Sequence, residues 1–258
     1  MVRADMRHIH IIGIGAGNPD HLTMEAVSAI AASDVFFLFD KGEDKSQLTD
    51  LRRYLIERHK AGAPYRLVWG ESPQWASRQS GYGAVVDDLN ARKRLLTAEL
   101  IDSEVRPGQS GAILVWGDPT LYDSTLRIMR AVCQGRDDVD YSVIPGISSL
   151  QALAARHRIP LNAIGGAVTI TPGRGLAALM SQRPETVAVM LDSRDAFQEA
   201  CGAGYVIHYG AYVGLPQEKL FAGSLDTLAE TIAAYRRDAR ARHGWIMDSY
   251  ILSRPLTA

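Results

Sequence analysis

Two cysteines in 258 residues, Cys133 and Cys201, are too few and too far apart for a disulfide framework or a paired-thiol metal site. They read as small buried apolar residues. No apolar run approaches the roughly 18 residues of a membrane span, and the first residues lack the apolar core of a secretory signal. A soluble, cytoplasmic protein is therefore expected. A dominant charge is missing too. The net charge of −1 provides no field over the whole chain to recruit nucleic acid or an anionic membrane. Any anionic ligand must be held by a local patch. The seven histidines fall in no metal-ligand spacing, so no metal is expected. His8 and His10 alternate along a strand, and His157 and His208 lie in separate segments.

What is present is an ordinary globular composition, 47% apolar and 22% charged, at a length that suits two domains of common size. Short β-branched and aromatic runs alternate with helical patterns. Strands are expected at His8–Ile12, Val35–Phe39, Tyr65–Trp69 and Ala112–Trp116, with helices at Thr23–Ala32, Asp50–His59 and Ala84–Ser103 between them. The last helix repeats Val85, Leu89, Leu96 and Leu100 on one face and turns Arg92, Lys93 and Arg94 toward another. Alternating βαβ units imply a largely parallel sheet. The second half offers strands at Tyr141–Ile144, Ala167–Ile170, Thr186–Leu191, Tyr205–Tyr209 and Ile246–Leu252, several joined by short loops, which suggests a mixed sheet. The expected fold class is α/β: an N-terminal domain over residues 1–119, a C-terminal domain over 120–258, and a cleft between them.

Three strand-end loops stand out. Gly13-Ile14-Gly15-Ala16-Gly17-Asn18-Pro19-Asp20 follows a strand and precedes a helix, where glycines admit a ligand to the backbone. It fails the dinucleotide pattern G-x-G-x-x-G, because Asn18 stands where the last glycine belongs. Asp40 still lies where a ribose-binding acid would sit. The second loop, Trp116-Gly117-Asp118-Pro119-Thr120-Leu121-Tyr122, leaves a buried strand. Asp118 there can cap a helix with Pro119 at its first position, or meet a ligand. The third, Pro145-Gly146-Ile147-Ser148-Ser149, again joins strand to helix, with Ser148 as a cap or a ligand contact.

This order of loops resembles the tetrapyrrole methyltransferases, which use S-adenosylmethionine (SAM) in a fold unlike the Rossmann-type methyltransferases. The matching motifs are Gly-x-Gly-x-Gly before Leu22-Thr23, Gly117-Asp118-Pro119, and Pro145-Gly146 before a serine pair. The family's frequent proline in the first loop is replaced by Ala16, and Thr171-Pro172-Gly173-Arg174 departs from a usual Thr-Gly-Arg. Residues 116–127, 151–162, 244–250 and Phe39-Asp40-Lys41-Gly42 narrow the likeness to the cobalamin branch, to a ring-carbon methylation accompanied by acetate release. The resemblance implies SAM contacts at Gly15, Trp116, Gly117, Asp118, Leu121, Ser148, Ser149, Met190 and the turn Tyr209-Gly210-Ala211. It also implies S-adenosylhomocysteine as product, a tetrapyrrole substrate and a homodimer.

Methyl transfer from a sulfonium needs alignment more than acid–base groups. The absence of a Ser-His-Asp or paired-carboxylate pattern is consistent with it. A substrate bearing several carboxylates calls for arginines. Residues 41–94 hold eleven Lys/Arg against seven Asp/Glu, and most of these cations read as solvated helix faces. Arg127 and Arg174 follow loops and are the expected substrate arginines, with Ser124 beside them. Tyr122, Asp123 and Asp248 are the catalytic candidates, the two aspartates as bases for acetate release. Rival readings are a methyltransferase acting at another ring carbon, a nicotinamide-dependent oxidoreductase using Gly13–Gly17 and Asp40, and a non-catalytic binding module.

Overall fold

The computed structural model describes residues 5–40, 46–60, 62–71 and 82–254. Lys41 and Gly42 lie outside them, as do the side chains of Asp40 and Val85. The chain divides into two compact units, one of residues 1–15 and 19–147, the other of 16–18 and 148–258.

In the first unit, β1 (Arg7–Gly13), β2 (Val35–Asp40), β3 (Arg66–Glu71), β4 (Ser110–Val115) and β5 (Val139–Ile144) form one sheet in the order β3-β2-β4-β1-β5. Every pairing is parallel. Central strands of such a sheet are buried on both faces, which is why β1 and β4 read as nearly unbroken apolar runs. Ile9, Ile11, Val35, Phe37, Ile113 and Val115 pack on one side with residues of α3 (Tyr82–Glu104) and α4 (Thr125–Cys133). Ile12, Phe36, Leu38, Ala112 and Leu114 pack on the other with α1 (Met24–Ala32) and α2 (Ser46–His59).

The expected boundary at Pro119 is corrected. Both α4 and β5 belong to the first unit, because β5 pairs along β1 from Arg7↔Val139 to Ile12↔Ile144. On α3, Thr97 and Ile101 are buried among the described side chains, and Leu89, Leu96 and Leu100 of the expected stripe are half-buried beside them. Lys93 falls on the same side as Thr97 and Ile101, one helical turn earlier.

The second unit holds α5 (Ser149–His157), β6 (Val168–Pro172), α6 (Leu176–Met180), β7 (Thr186–Met190), β8 (Val206–Ala211), β9 (Lys219–Ser224), α7 (Leu225–His243) and β10 (Asp248–Ser253). Its sheet runs β6-β7-β10-β8-β9, parallel only between β6 and β7, so it is mixed as expected. Strand β9 was not expected. Tyr209, Gly210 and Ala211 lie within β8, not in a turn; the chain turns next, at Tyr212, whose φ is 51°. Cys201 is exposed, contrary to the expectation of burial. Among the described residues no helix is long and apolar enough to cross a membrane.

Candidate functional site

In the first unit, the loops after β1, β4 and β5 meet backbone to backbone. A Cβ on Gly13 would lie 2.5 Å from the nitrogen of Gly146 and 2.9 Å from the oxygen of Gly117, and one on Gly146 would collide with that same oxygen. Gly15 and Gly117 exchange backbone hydrogen bonds of 3.2 and 2.8 Å. Gly15 has a φ of 80°, a conformation side chains disfavour. The chain then passes a 3-10 turn at Pro19–His21 before Thr23 caps α1, so Gly13–Gly17 does not open directly into a helix N-terminus. That geometry does not suit the dinucleotide reading.

Asp118 is neither a helix cap nor a free carboxylate. One oxygen accepts the Gly146 N–H at 2.9 Å, and the other accepts the Thr120 N–H at 2.8 Å and the Thr120 hydroxyl. It ties the second loop to the third. The helix begins later, at Thr125, where Asp123 accepts the Thr125 N–H at 2.6 Å. Leu121 donates its N–H to the Asp118 carbonyl, and Tyr122 is half-exposed at a φ of 55°. Strained backbone of this kind gathers at ligand sites.

Beside these loops, at the carboxyl edge of β2 and β4, lies an open cavity of about 120 Å³. Trp116, Asp123 and Ser124 line it, together with Arg52 and Lys93. The indole N–H of Trp116 is buried and has no hydrogen-bond partner among the described residues. Burial lowers the Arg52 guanidinium to about 10, with the Asp123 charge pulling the other way. Arg127, the expected substrate arginine, is exposed on α4 and does not line the cavity. Sequence reasoning passed over Arg52. The available signal was its place four residues after Leu48 and three before Leu55, on the stripe that α2 buries.

In the second unit, Ser249 on β10 is the meeting point. It is the register partner of Met190 on β7 and of Gly210 on β8, and its hydroxyl lies 2.9 Å from that of Ser149. Ala211 follows, fully buried. Ser148 caps α5, accepting the Leu150 N–H at 3.2 Å and donating its hydroxyl to Gln151. Thus Ser149, Met190 and Gly210 each neighbour one serine, Ser249, that had not been singled out. Arg174 is exposed in a 3-10 turn after Pro172 closes β6.

Asp248 does not join them as a base. Its side chain is 3% exposed and accepts hydrogen bonds from the Arg236 Nε at 2.6 Å and the Tyr209 hydroxyl at 2.7 Å. Arg236 is wholly buried and also donates to Asp195 and to the Asp192 carbonyl. Burial opposes the Arg236 charge, but the Asp248 and Asp192 carboxylates outweigh it and hold the guanidinium above its ordinary value. Burial lifts the Asp248 carboxyl, against the pull of Arg236. This is a structural ion-pair network, and the catalytic assignment of Asp248 is withdrawn.

A parallel sheet with three glycine loops knitted at one edge, followed by a mixed sheet with a hydroxyl-bearing strand junction, defines a two-sheet α/β protein. The family model of the tetrapyrrole (corrin/porphyrin) methylases matches residues 8–229, and the chain belongs to that family. It is 42% identical over 253 residues to a precorrin-6A synthase [deacetylating] of Sinorhizobium sp., covering 98% of this chain and 97% of the relative. A cobalamin synthesis related protein (CobF) from Corynebacterium diphtheriae superposes with a TM-score of 0.80 at 34% identity, over 96% of this chain and 99% of that one. The uroporphyrin-III C-methyl transferase of Thermus thermophilus, solved with S-adenosylhomocysteine, shares the fold at a TM-score of 0.57 and 19% identity, over 95% and 97% of the two chains.

Proposed function

We propose that this protein is a SAM-dependent C-methyltransferase of cobalamin biosynthesis that methylates C1 of precorrin-5 and releases acetate to give precorrin-6A. The observation that carries this is the 42% identity, over nearly the full length of both chains, to the precorrin-6A synthase of Sinorhizobium sp.. Family membership alone would leave the ring carbon open. Nothing in the fold or in the relatives favours the oxidoreductase reading.

The residues suit the cofactor. The strand-end glycines leave a backbone ledge free of side chains, the buried Trp116 N–H lacks a partner, and Ser149 and Ser249 present paired hydroxyls. SAM, when bound, supplies an already activated methyl group and leaves as S-adenosylhomocysteine. Gly15, Trp116, Gly117, Leu121, Ser148, Ser149, Met190, Gly210 and Ala211 are its proposed contacts. Asp118 supports them by holding the loops together. Alignment of the reacting atoms in water-poor surroundings accounts for much of the acceleration, roughly 7–11 kcal/mol in well-oriented systems. Acetate release needs a water to attack the acyl carbon. Asp123 is the remaining candidate to take its proton, with Tyr122 and Ser124 beside it. A cytoplasmic homodimer is the proposed working form.

The test is anaerobic incubation with precorrin-5 and SAM, following ring mass and acetate. One methyl gained per acetate released is expected. Methyl gain without acetate would overturn the specific reaction and leave the family standing. S-adenosylhomocysteine, and not NADP, should raise the thermal midpoint.

A further inference from the structure

The cavity at the carboxyl edge of β2 and β4 is lined by two cations, Arg52 and Lys93. Arg52 stands on the apolar stripe of α2, between Leu48 and the fully buried Leu55 and Ile56. Its Nε donates to the Leu114 carbonyl and its Nη1 to that of Leu48, both at 2.9 Å. Those bonds fix the guanidinium plane, and Nη2 is left without a hydrogen-bond partner among the described residues. Lys93 reaches the cavity from α3, and Asp123 is the one carboxylate among its described lining residues. A guanidinium in a partly desolvated space, with a second cation beside it, is stabilised by an anion placed between them. The Ser124 side chain makes no capping bond, so its hydroxyl is available as a further donor. Phe37 and Phe39 supply apolar walls.

We propose that this cavity is a carboxylate pocket, in which Arg52 and Lys93 grip one acidic group: an acetate or propionate arm of the ring substrate, or the acetate set free from it. The planar guanidinium edge fits the geometry of a carboxylate, Lys93 adds a second positive charge, and the aromatic walls suit the attached carbons. The identity of the arm rests on the function proposed above; the affinity of the pocket for carboxylate does not.

The test that separates the two is calorimetric titration of the whole protein with acetate, against acetamide as the uncharged isostere. Acetate should bind at least roughly tenfold tighter than acetamide, and Arg52→Met and Lys93→Met should each weaken it about fivefold or more. Arg53→Met, an exposed neighbour on α2, should bind as the wild type. Arg52 also holds two carbonyls, so Lys93→Met keeps the test valid if Arg52→Met fails to fold. Equal binding of acetate and acetamide, or unchanged acetate binding in Lys93→Met, overturns the proposal whatever the enzyme methylates. In the turnover assay, acetate competing with precorrin-5 identifies a substrate arm as the occupant. Inhibition that precorrin-5 does not relieve identifies the released acetate.

Discussion

Replacing Asp248 by asparagine separates a structural carboxylate from a catalytic one, because the two roles predict opposite outcomes. The substitution keeps size and hydrogen-bonding shape but removes the charge facing Arg236, which is wholly buried. Breaking one side of a buried ion pair costs about 3–5 kcal/mol, since the other charge is left uncompensated. Here Arg236 keeps Asp195, whose side chain is 23% exposed, and the Asp192 carbonyl. That places the cost near the lower end, about 3 kcal/mol. A unit of this size shifts its midpoint by about 4 °C per kcal/mol, so a drop of about 12 °C is expected. Scanning calorimetry reads that drop. At 15 °C, where the variant remains folded, acetate released per methyl transferred should equal the wild-type ratio. Tyr209→Phe removes one hydrogen bond to the same carboxylate and should cost about 1.5 kcal/mol, in the same direction. The reasoning is refuted if Asp248→Asn melts within about 2 °C of wild type yet loses acetate release while still methylating.

Asp123→Asn tests the remaining base. Methyl gain should persist while acetate release slows by about 10²-fold or more, followed by mass spectrometry of the ring and an acetate assay; wild-type rates of both steps would exclude it. Gly146→Ala forces a Cβ against the oxygen of Gly117 where three loops converge, so a loss of about 1–3 kcal/mol is expected. The same variant should bind S-adenosylhomocysteine at least roughly tenfold more weakly by titration calorimetry, and unchanged affinity would detach the loops from the cofactor. The third perturbation is of pH. Burial, and then the neighbouring His8 charge, lower His10 below its ordinary 6.5. As pH falls through 6.5 the unfolded chain takes up this proton and the folded one does not, so stability declines until the folded value is passed. His8, Ser142 and, 3.8 Å from His8, Asp140 face this group on β1 and β5. His10→Gln should flatten the decline of the thermal midpoint below pH 6.5; an unchanged slope would refute the assignment.

What the sequence disclosed and what it withheld divide along a physical line. Strands β1, β2 and β4 were legible because burial on both faces demands apolar runs, and Ser148 was legible as a cap because capping is a local rule. β5 was recognised as a strand but assigned to the wrong unit: its pattern says that it pairs, not with which strand. β9 escaped notice because a half-buried edge strand, Lys219-Leu220-Phe221-Ala222-Gly223-Ser224, has little apolar periodicity to show. Asp118 was singled out as a cap or a ligand contact, and its role in tying two loops stayed hidden because its partner Gly146 lies 28 residues away. The two arginines make the sharper case. Arg236 lies on the face of α7 that buries Ala229, Ile232, Ala233 and Ala239, and Arg52 on the face of α2 that buries Leu48, Leu55 and Ile56. Composition counts each as one more surface cation, whereas its position in the helical repeat places it where a leucine belongs. A cation kept on an apolar stripe needs a counter-charge. For Arg236 the counter-charges come from Asp248 and Asp195 within the chain. For Arg52 the described cavity lining offers Asp123 as its carboxylate and Lys93 as a second cation, which directs attention to an anionic ligand.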